Sequence, residues 1–355
     1  MEDFTYNGNP GRVIFGSGTI SQLADEAERL AVKRVLVLST PEQADQAEEI
    51  ARHLGDRIAG LYAGATMHTP VEVTTEAMRE VEKLRADAVL SVGGGSTTGL
   101  GKAIAFRTDL PQIVVPTTYA GSEATPILGE TENGRKVTKS DPRILPEVIV
   151  YDVDLTLSLP VAMSVTSGIN AIAHAVEALY ARQANPIVSM MAEAGITALA
   201  RALPKIKTDA KDKAARADAL YGAWLCGVCL GSVGMALHHK LCHTLGGMFN
   251  LPHAPMHTAV LPHAVAYNQS SAPDAMARVA KALGVDNAAM GLFDLAHGLG
   301  AEMSLVALGM PADGVSVAVE EAMANAYWNP RPLERPSLER LLSRAARGER
   351  PRDGG

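Results

Sequence analysis

The sequence predicts an α/β protein in two parts: an N-terminal doubly wound, mostly parallel sheet and a C-terminal all-α domain. Three observations carry that expectation. Short β-branched runs alternate with helical patterns through the first 158 residues, the strand signal stops after Leu159-Pro160, and long helical patterns fill the rest. At 355 residues the chain also exceeds the roughly 250–300 over which a single core grows, in keeping with domains at 1–158 and 159–355.

Strands are expected at 35–39 (VLVLS), 88–92 (AVLSV), 113–115 (IVV) and 148–151 (VIVY), with helices including 42–54 and 73–84 between them. These runs are apolar without polar alternation, as in strands covered on both faces, so the sheet reads as parallel over about residues 10–155. Pro160 suits the first turn of a helix and would break a central strand, which places the boundary. Helices follow at 165–182, 186–203, 214–245, 274–283 and 290–299. The tail from Arg344 (RAARGERPRDGG) is polar and basic and is expected to be loosely ordered.

With 47% hydrophobic and 20% charged residues the chain is globular rather than disordered. Thirty-two Lys+Arg against 39 Asp+Glu give a net charge of −7, which repels a phosphate backbone and argues against a nucleic-acid partner. Three cysteines and an opening MEDFTYNGNP without basic or apolar signal regions point to the cytoplasm. Residues 219–237 run 19 positions without a charge, about the length of a membrane span. Four glycines, a serine and the His238-His239 pair that follows favour a buried helix of an all-α domain, with no membrane association. Cys226 and Cys229 on it read as core thiols.

Gly93-Gly94-Gly95-Ser96 follows an apolar strand and opens a helix. Glycines let a backbone approach closely and the free N–H groups of a helix start face an anion, so this turn is a candidate pyrophosphate cradle. It is not the GxGxxG fingerprint of the common dinucleotide fold. A second loop, Pro116-Thr117-Thr118-Tyr119-Ala120-Gly121-Ser122-Glu123, offers hydroxyls at the same carboxyl edge, either for a ligand or to cap the next helix. The strand ending Leu38-Ser39-Thr40 has no carboxylate to select a ribose 2′-hydroxyl, which leaves room for NADPH as well as NADH.

Six of the ten histidines fall within 26 residues, His238 to His263, and His174 lies on an earlier helix. His239 and His243 stand four apart on one helix face, as do Asn170 and His174, so two facing helices would gather four polar groups, with His253 as a fifth. Burying so many imidazoles on apolar helices is costly unless they are used, which makes Asn170, His174, His239, His243 and His253 the candidate site. His238, His257, His263 and His297 read as core or surface residues. Three imidazoles and a carboxylate would make a conventional Zn²⁺ or Fe²⁺ site, but the fourth position here is Asn170, a neutral amide, so no metal is expected.

Together these residues resemble the iron-containing alcohol dehydrogenase family, of dehydroquinate-synthase-like fold. The likeness runs over nearly the whole chain: Gly93-Gly94-Gly95-Ser96, Pro116-Thr117-Thr118, DVDLTLSLP at 152–160, NAIAHAVE at 170–177, His239 to His253, and Asn329-Pro330-Arg331-Pro332. In the family's metal-dependent members the positions matching Asn170, His174, His239 and His253 are Asp, His, His and His. Asn170 departs from that pattern, and so does Gly99, where many members carry Asp. Both departures are similar to a branch that reduces a carbon–carbon double bond in a small dicarboxylate and works without a metal. The resemblance implies that Lys136 and the 117–125 loop, with Thr117, Thr118, Ser122 and Thr125, lie along NADH or NADPH; Thr40, at the end of the first strand run, is a further cofactor candidate. The resemblance further implies a substrate between the domains near His243 and His253, with His243 as proton donor or enolate stabiliser, and a homodimer. A metal-dependent alcohol dehydrogenase, a cyclising lyase and a non-catalytic nucleotide-binding module are the competing expectations.

Overall fold

The computed structural model describes residues 4–6, 8–9, 11–132 and 135–352. The chain separates into two compact units, Gly8–Leu159 and Pro160–Gly355, with residues 4–6 clustering with the second.

In the first unit the strands are β1 (Arg12–Gly16), β2 (Val35–Leu38), β3 (Ile58–Tyr62), β4 (Ala88–Gly93), β5 (Gln112–Pro116), β6 (Ile127–Glu132), β7 (Arg135–Ser140) and β8 (Val148–Asp152). Six of them form one parallel sheet in the order β1-β8-β5-β4-β2-β3, while β6 and β7 pair antiparallel as a separate hairpin. The helices are α1 (Leu23–Arg29), α2 (Ala44–Ala51), α3 (Val71–Leu84) and α4 (Gly95–Thr108). Val35 and Val37 face a core shared with Ala27 of α1 and Ile50 of α2, and Leu36 and Leu38 face the opposite core with Val81 of α3 and Ile104 of α4. The two-residue period is present, but both faces are apolar because both are covered.

The four expected strands are present, and β1, β3 and the hairpin are additions. β1 and β3 are the two edges, partly exposed along their length, and therefore lack the continuous apolar signal of the central strands. The chain steps from β2 outward to β3 and then crosses back to β4 on the other side of β2. Thr40 and the Gly93 turn flank that switch point, where open α/β sheets bind ligands.

The second unit holds α5 (Val161–Tyr180), α6 (Pro186–Thr208), α7 (Lys213–Ser232), α8 (Leu237–Phe249), α9 (His253–Asn268), α10 (Pro273–Leu283), α11 (Ala288–Gly298), α12 (Gly314–Ala324) and α13 (Arg335–Arg347). α5 is buried at every position from Ser167 to Tyr180. α6 starts on Asn185, whose side chain accepts the N–H groups of Ile187 and Val188, followed by Pro186 in the first turn. α6 and α7 approach closely where Gly195 meets Gly222: a Cβ on Gly222 would lie 2.9 Å from the Gly195 carbonyl oxygen.

Two expectations are corrected here. The helix expected over 214–245 is two helices: α7 stops at Ser232 and α8 starts at Leu237, with their axes bent by 94°. The uncharged run 219–237 is thus split between them, and α7 packs its Ala219, Ala223 and Cys226 into the unit's interior. The tail is not loose as far as it is described. α13 runs to Arg347, Ala345 and Ala346 are buried, their carbonyls accept from Leu305 and Val306, and Arg350 pairs with Asp294.

Candidate active site

In the first unit the polar loops converge on the carboxyl ends of three neighbouring strands, β2, β4 and β5. Gly93 has φ +149°, and a Cβ there would sit 2.6 Å from Thr97 Oγ1, so the turn needs glycine. Gly94 precedes the first residue of α4, a Cβ on it would press on Thr118 at 3.0 Å, and Gly95 is exposed. The first-turn N–H groups of α4, at Gly95 and Ser96, are left for an anion. Thr117 is tied to this turn, its N–H donating to the Gly93 carbonyl at 3.0 Å and its hydroxyl accepting from Gln43 Nε2 at 3.0 Å. Thr40 lies two residues past β2, and its carbonyl accepts the Gln43 N–H at 3.1 Å.

The remaining cofactor candidates are placed differently. Thr125 is turned inward: its hydroxyl donates to the Ser122 carbonyl and accepts from Lys102 Nζ, both at 2.9 Å. Lys102 also donates to the carbonyls of Ser122 and Ile127, so one buried ammonium gathers the loop's oxygens. Burial pulls that ammonium down to about 7, against the nearby Glu123 carboxylate. Burial raises Glu123, while its own backbone N–H, the Tyr151 hydroxyl at 2.7 Å and Lys102 oppose the rise. Thr125 thus shapes the loop rather than presenting a hydroxyl, and the sequence reading missed Lys102. Lys136 lies in β7, and its side chain is outside the described residues.

In the second unit α5, α8 and α9 bring the histidines together. Ring centres of His174 and His239 are 5.2 Å apart, His239 and His257 5.2 Å, His238 and His257 5.0 Å, His253 and His257 4.2 Å, and His239 and His243 6.0 Å. Asn170 stands one turn before His174, 3% exposed, with its Oδ1 unpartnered. His238 and His257 join this cluster although the sequence assigned them to the core. His257 is buried with neither ring nitrogen partnered. His263 and His297 stay outside it, His263 buried in α9 and His297 stacked on Phe293.

Glu177 organises the cluster. Its carboxylate, 0% exposed, accepts from His239 Nδ1 at 2.8 Å and from the backbone N–H groups of Ala236 and His238 at 2.8 and 2.7 Å. It therefore caps the start of α8 and fixes the hydrogen of His239 on Nδ1, so that Nε2 is the free atom. Burial would raise Glu177, but the His239 bond, the two neighbouring imidazoles and the Ala236 N–H hold it below the ordinary carboxylate value. The sequence shows it only as a lone acid on an otherwise apolar helix.

Burial, then the surrounding imidazoles, push His174 and His257 well below the ordinary histidine value, and His238 falls to about 4 chiefly through burial. These three are neutral at pH 7. His238 Nε2 donates to the His257 carbonyl at 3.0 Å, and His238, His239 and His257 hold nitrogens within 4.8 Å of one another.

The rim holds two residues that the sequence did not single out. His243 Nδ1 is 3.0 Å from the Tyr327 hydroxyl, and the Lys240 ammonium lies 5.7 Å from the centre of the Tyr327 ring. The stretch carrying Tyr327 is pinned by a reciprocal amide pair between Asn268 and Asn329, at 2.9 and 2.7 Å, and by Tyr267, which donates to the Pro332 carbonyl at 2.7 Å.

The sheet unit with its glycine turn and the helical unit that buries histidines each match a model of the same family. The family model described as iron-containing alcohol dehydrogenase matches residues 10–153, and that described as the Fe-containing alcohol dehydrogenase family, C-terminal, matches 164–346. The chain belongs to the iron-containing alcohol dehydrogenase family. It is 57% identical to a maleylacetate reductase of Sphingobium indicum over 97% of this chain and 98% of that one, and 55% identical to a maleylacetate reductase of a Rhizobium species over 99% and 100%. The crystal structure of maleylacetate reductase from Agrobacterium tumefaciens superposes with a TM-score of 0.95 at 56% identity, covering 99% of this chain and 100% of that one.

Proposed function

We propose that the chain is a maleylacetate reductase that uses NADH or NADPH to reduce the carbon–carbon double bond of maleylacetate, giving 3-oxoadipate. The observation that carries this is identity of 54–57% to maleylacetate reductases along nearly the whole length. It is an oxidoreductase acting on a small molecule, and we place it in the cytoplasm as a homodimer.

The alkene is conjugated to a ketone. Hydride from the reduced nicotinamide adds to the alkene carbon β to that ketone, the electron pair moves onto the ketone oxygen as an enolate, and the carbon between them then takes a proton. The chain must supply hydrogen-bond donors for the oxygen and an acid for the carbon. His174 and His257, being neutral, supply N–H dipoles, whereas the single N–H of neutral His238 is already given to the His257 carbonyl. His243, partly exposed and bonded to Tyr327, is the proton donor, with His253, His239, His174 and Asn170 lining the site.

The residues do not fit the divalent metal that the family's name implies. Asn170 brings no charge where a carboxylate would, and Glu177 spends its oxygens on His239 and two backbone N–H groups. In this reading the chain's own imidazole, amide and hydroxyl groups take the place of a metal.

The test follows NADH and NADPH oxidation with maleylacetate, with short aldehydes, and with a strong chelator present. Chelator-resistant turnover of maleylacetate alone is the expected result. Aldehyde reduction that chelation abolishes would make the protein a metal-dependent alcohol dehydrogenase, and unchanged kcat/KM in His243→Ala would remove His243 from the mechanism.

A further inference from the structure

We propose that Lys240 binds one carboxylate of the substrate and so makes the site selective for dicarboxylates, an inference that rests on the reading of the chain as a maleylacetate reductase. Lys240 is the residue after His239 and stands three before His243, so α8 presents it on the turn that carries the proposed proton donor. It is 7% exposed. Among the described residues its ammonium has no hydrogen bond and no ion pair; Glu321 on α12 acts on it only through space. The ring of Tyr327 lies 5.7 Å from the ammonium, which still reaches solvent although the rest of the side chain is covered. With no protein acceptor among the described residues, this charge is open to pair with an anion.

The anion is identified by what stands beside the ammonium. Tyr327 bonds His243 through its hydroxyl while offering its face to Lys240, so the aromatic ring fixes the cation and the acid relative to each other. A planar conjugated chain with a carboxylate on Lys240 would lay its reacting carbons against His243. A nucleotide phosphate is the other anion in this reaction, and the sequence and fold provide for it at the β4–α4 turn of the other unit.

The experiment compares wild type with Lys240→Met, which keeps the apolar stem, and Lys240→Arg, which keeps the charge. It measures KM for maleylacetate, the inhibition constant of adipate as an unreactive six-carbon dicarboxylate, and the NADH dissociation constant by fluorescence. Lys240→Met should raise KM and the adipate constant at least about 30-fold, equivalent to about 2 kcal/mol, with NADH affinity unchanged and Lys240→Arg recovering part of the loss. An unchanged adipate constant in folded Lys240→Met overturns the proposal, as does a loss of NADH affinity in its place. Lys240→Gln serves as the neutral variant should near-ultraviolet circular dichroism show Lys240→Met unfolded. Wild type that fails to reduce maleylacetate but binds adipate through Lys240 would refute the assigned reaction and leave the anion site standing.

Discussion

Both units bury a lysine, and they treat it in opposite ways. In the sheet unit Lys102 donates to the carbonyls of Ser122 and Ile127 and to Thr125, with the Glu123 charge close by. In the helical unit Lys240 has an aromatic face and no acceptor among the described residues. A buried charge that its own chain satisfies is part of the scaffold, and here it draws in the loop that follows β5. A charge on a covered stem with solvent but no protein acceptor at its tip is instead available to an arriving anion. The same contrast runs through the two units: backbone geometry fixes the Gly93 turn, whereas the histidine cluster depends on protonation state and on one carboxylate.

The largest effect should come from that carboxylate. Glu177→Ala leaves His239 Nδ1 and the N–H groups of Ala236 and His238 unpaired in the interior, and should cost about 3–5 kcal/mol in urea unfolding at pH 7. A loss under about 1 kcal/mol would mean that Glu177 is not what holds α5 to α8.

Acid comes next. His238 and His263 have folded values of about 4, against an unfolded value of 6.5. Between those values the unfolded chain binds more protons than the folded one, so stability is complete above about pH 6.5 and falls as pH drops toward 4. The slope approaches on the order of 1.4 kcal/mol per pH unit for each histidine, and His174 and His257, shifted in the same direction, steepen it. All four lie in the helical unit, and urea midpoints that stay level from pH 7 to pH 5 would show that these imidazoles are not held neutral.

Lys102→Met tests the other side of the comparison. It strands the carbonyls of Ser122 and Ile127 and should lower stability by about 2 kcal/mol. Since it also frees the loop bearing Ser122, NADH should bind more weakly; full NADH affinity by fluorescence titration would show that the lysine does not shape the cofactor loop. The smallest effect is expected from Arg350→Ala. Its pair with Asp294 is more than half exposed on both sides, and unfolding should shift by no more than about 0.5 kcal/mol.

What could be read from the sequence divides along physical lines. Central strands such as β2 and β4 announce themselves because both their faces are covered, while β1 and β3, at the edges, do not. The imidazoles of α5 and α8 were legible from i, i+4 spacing alone. Glu177 was not, because its partners, the N–H groups at the start of α8, lie about sixty positions away and no local pattern records them. The break between α7 and α8 was missed for the same reason. Tyr327 and Lys240 were hidden because what matters in each is a contact across the fold rather than its own neighbourhood in the chain.

One consequence of α5 concerns length. Asn170, His174 and Glu177 occupy positions i, i+4 and i+7 of one buried helix, so a single rotation angle sets the amide, the imidazole and the carboxylate together. Inserting or deleting one residue between them would turn everything beyond by about 100°, aiming Glu177 away from α8 while leaving the composition almost untouched. This stretch can drift in side chains facing elsewhere but not in residue count, and descendants of this gene should vary in the first sense long before the second.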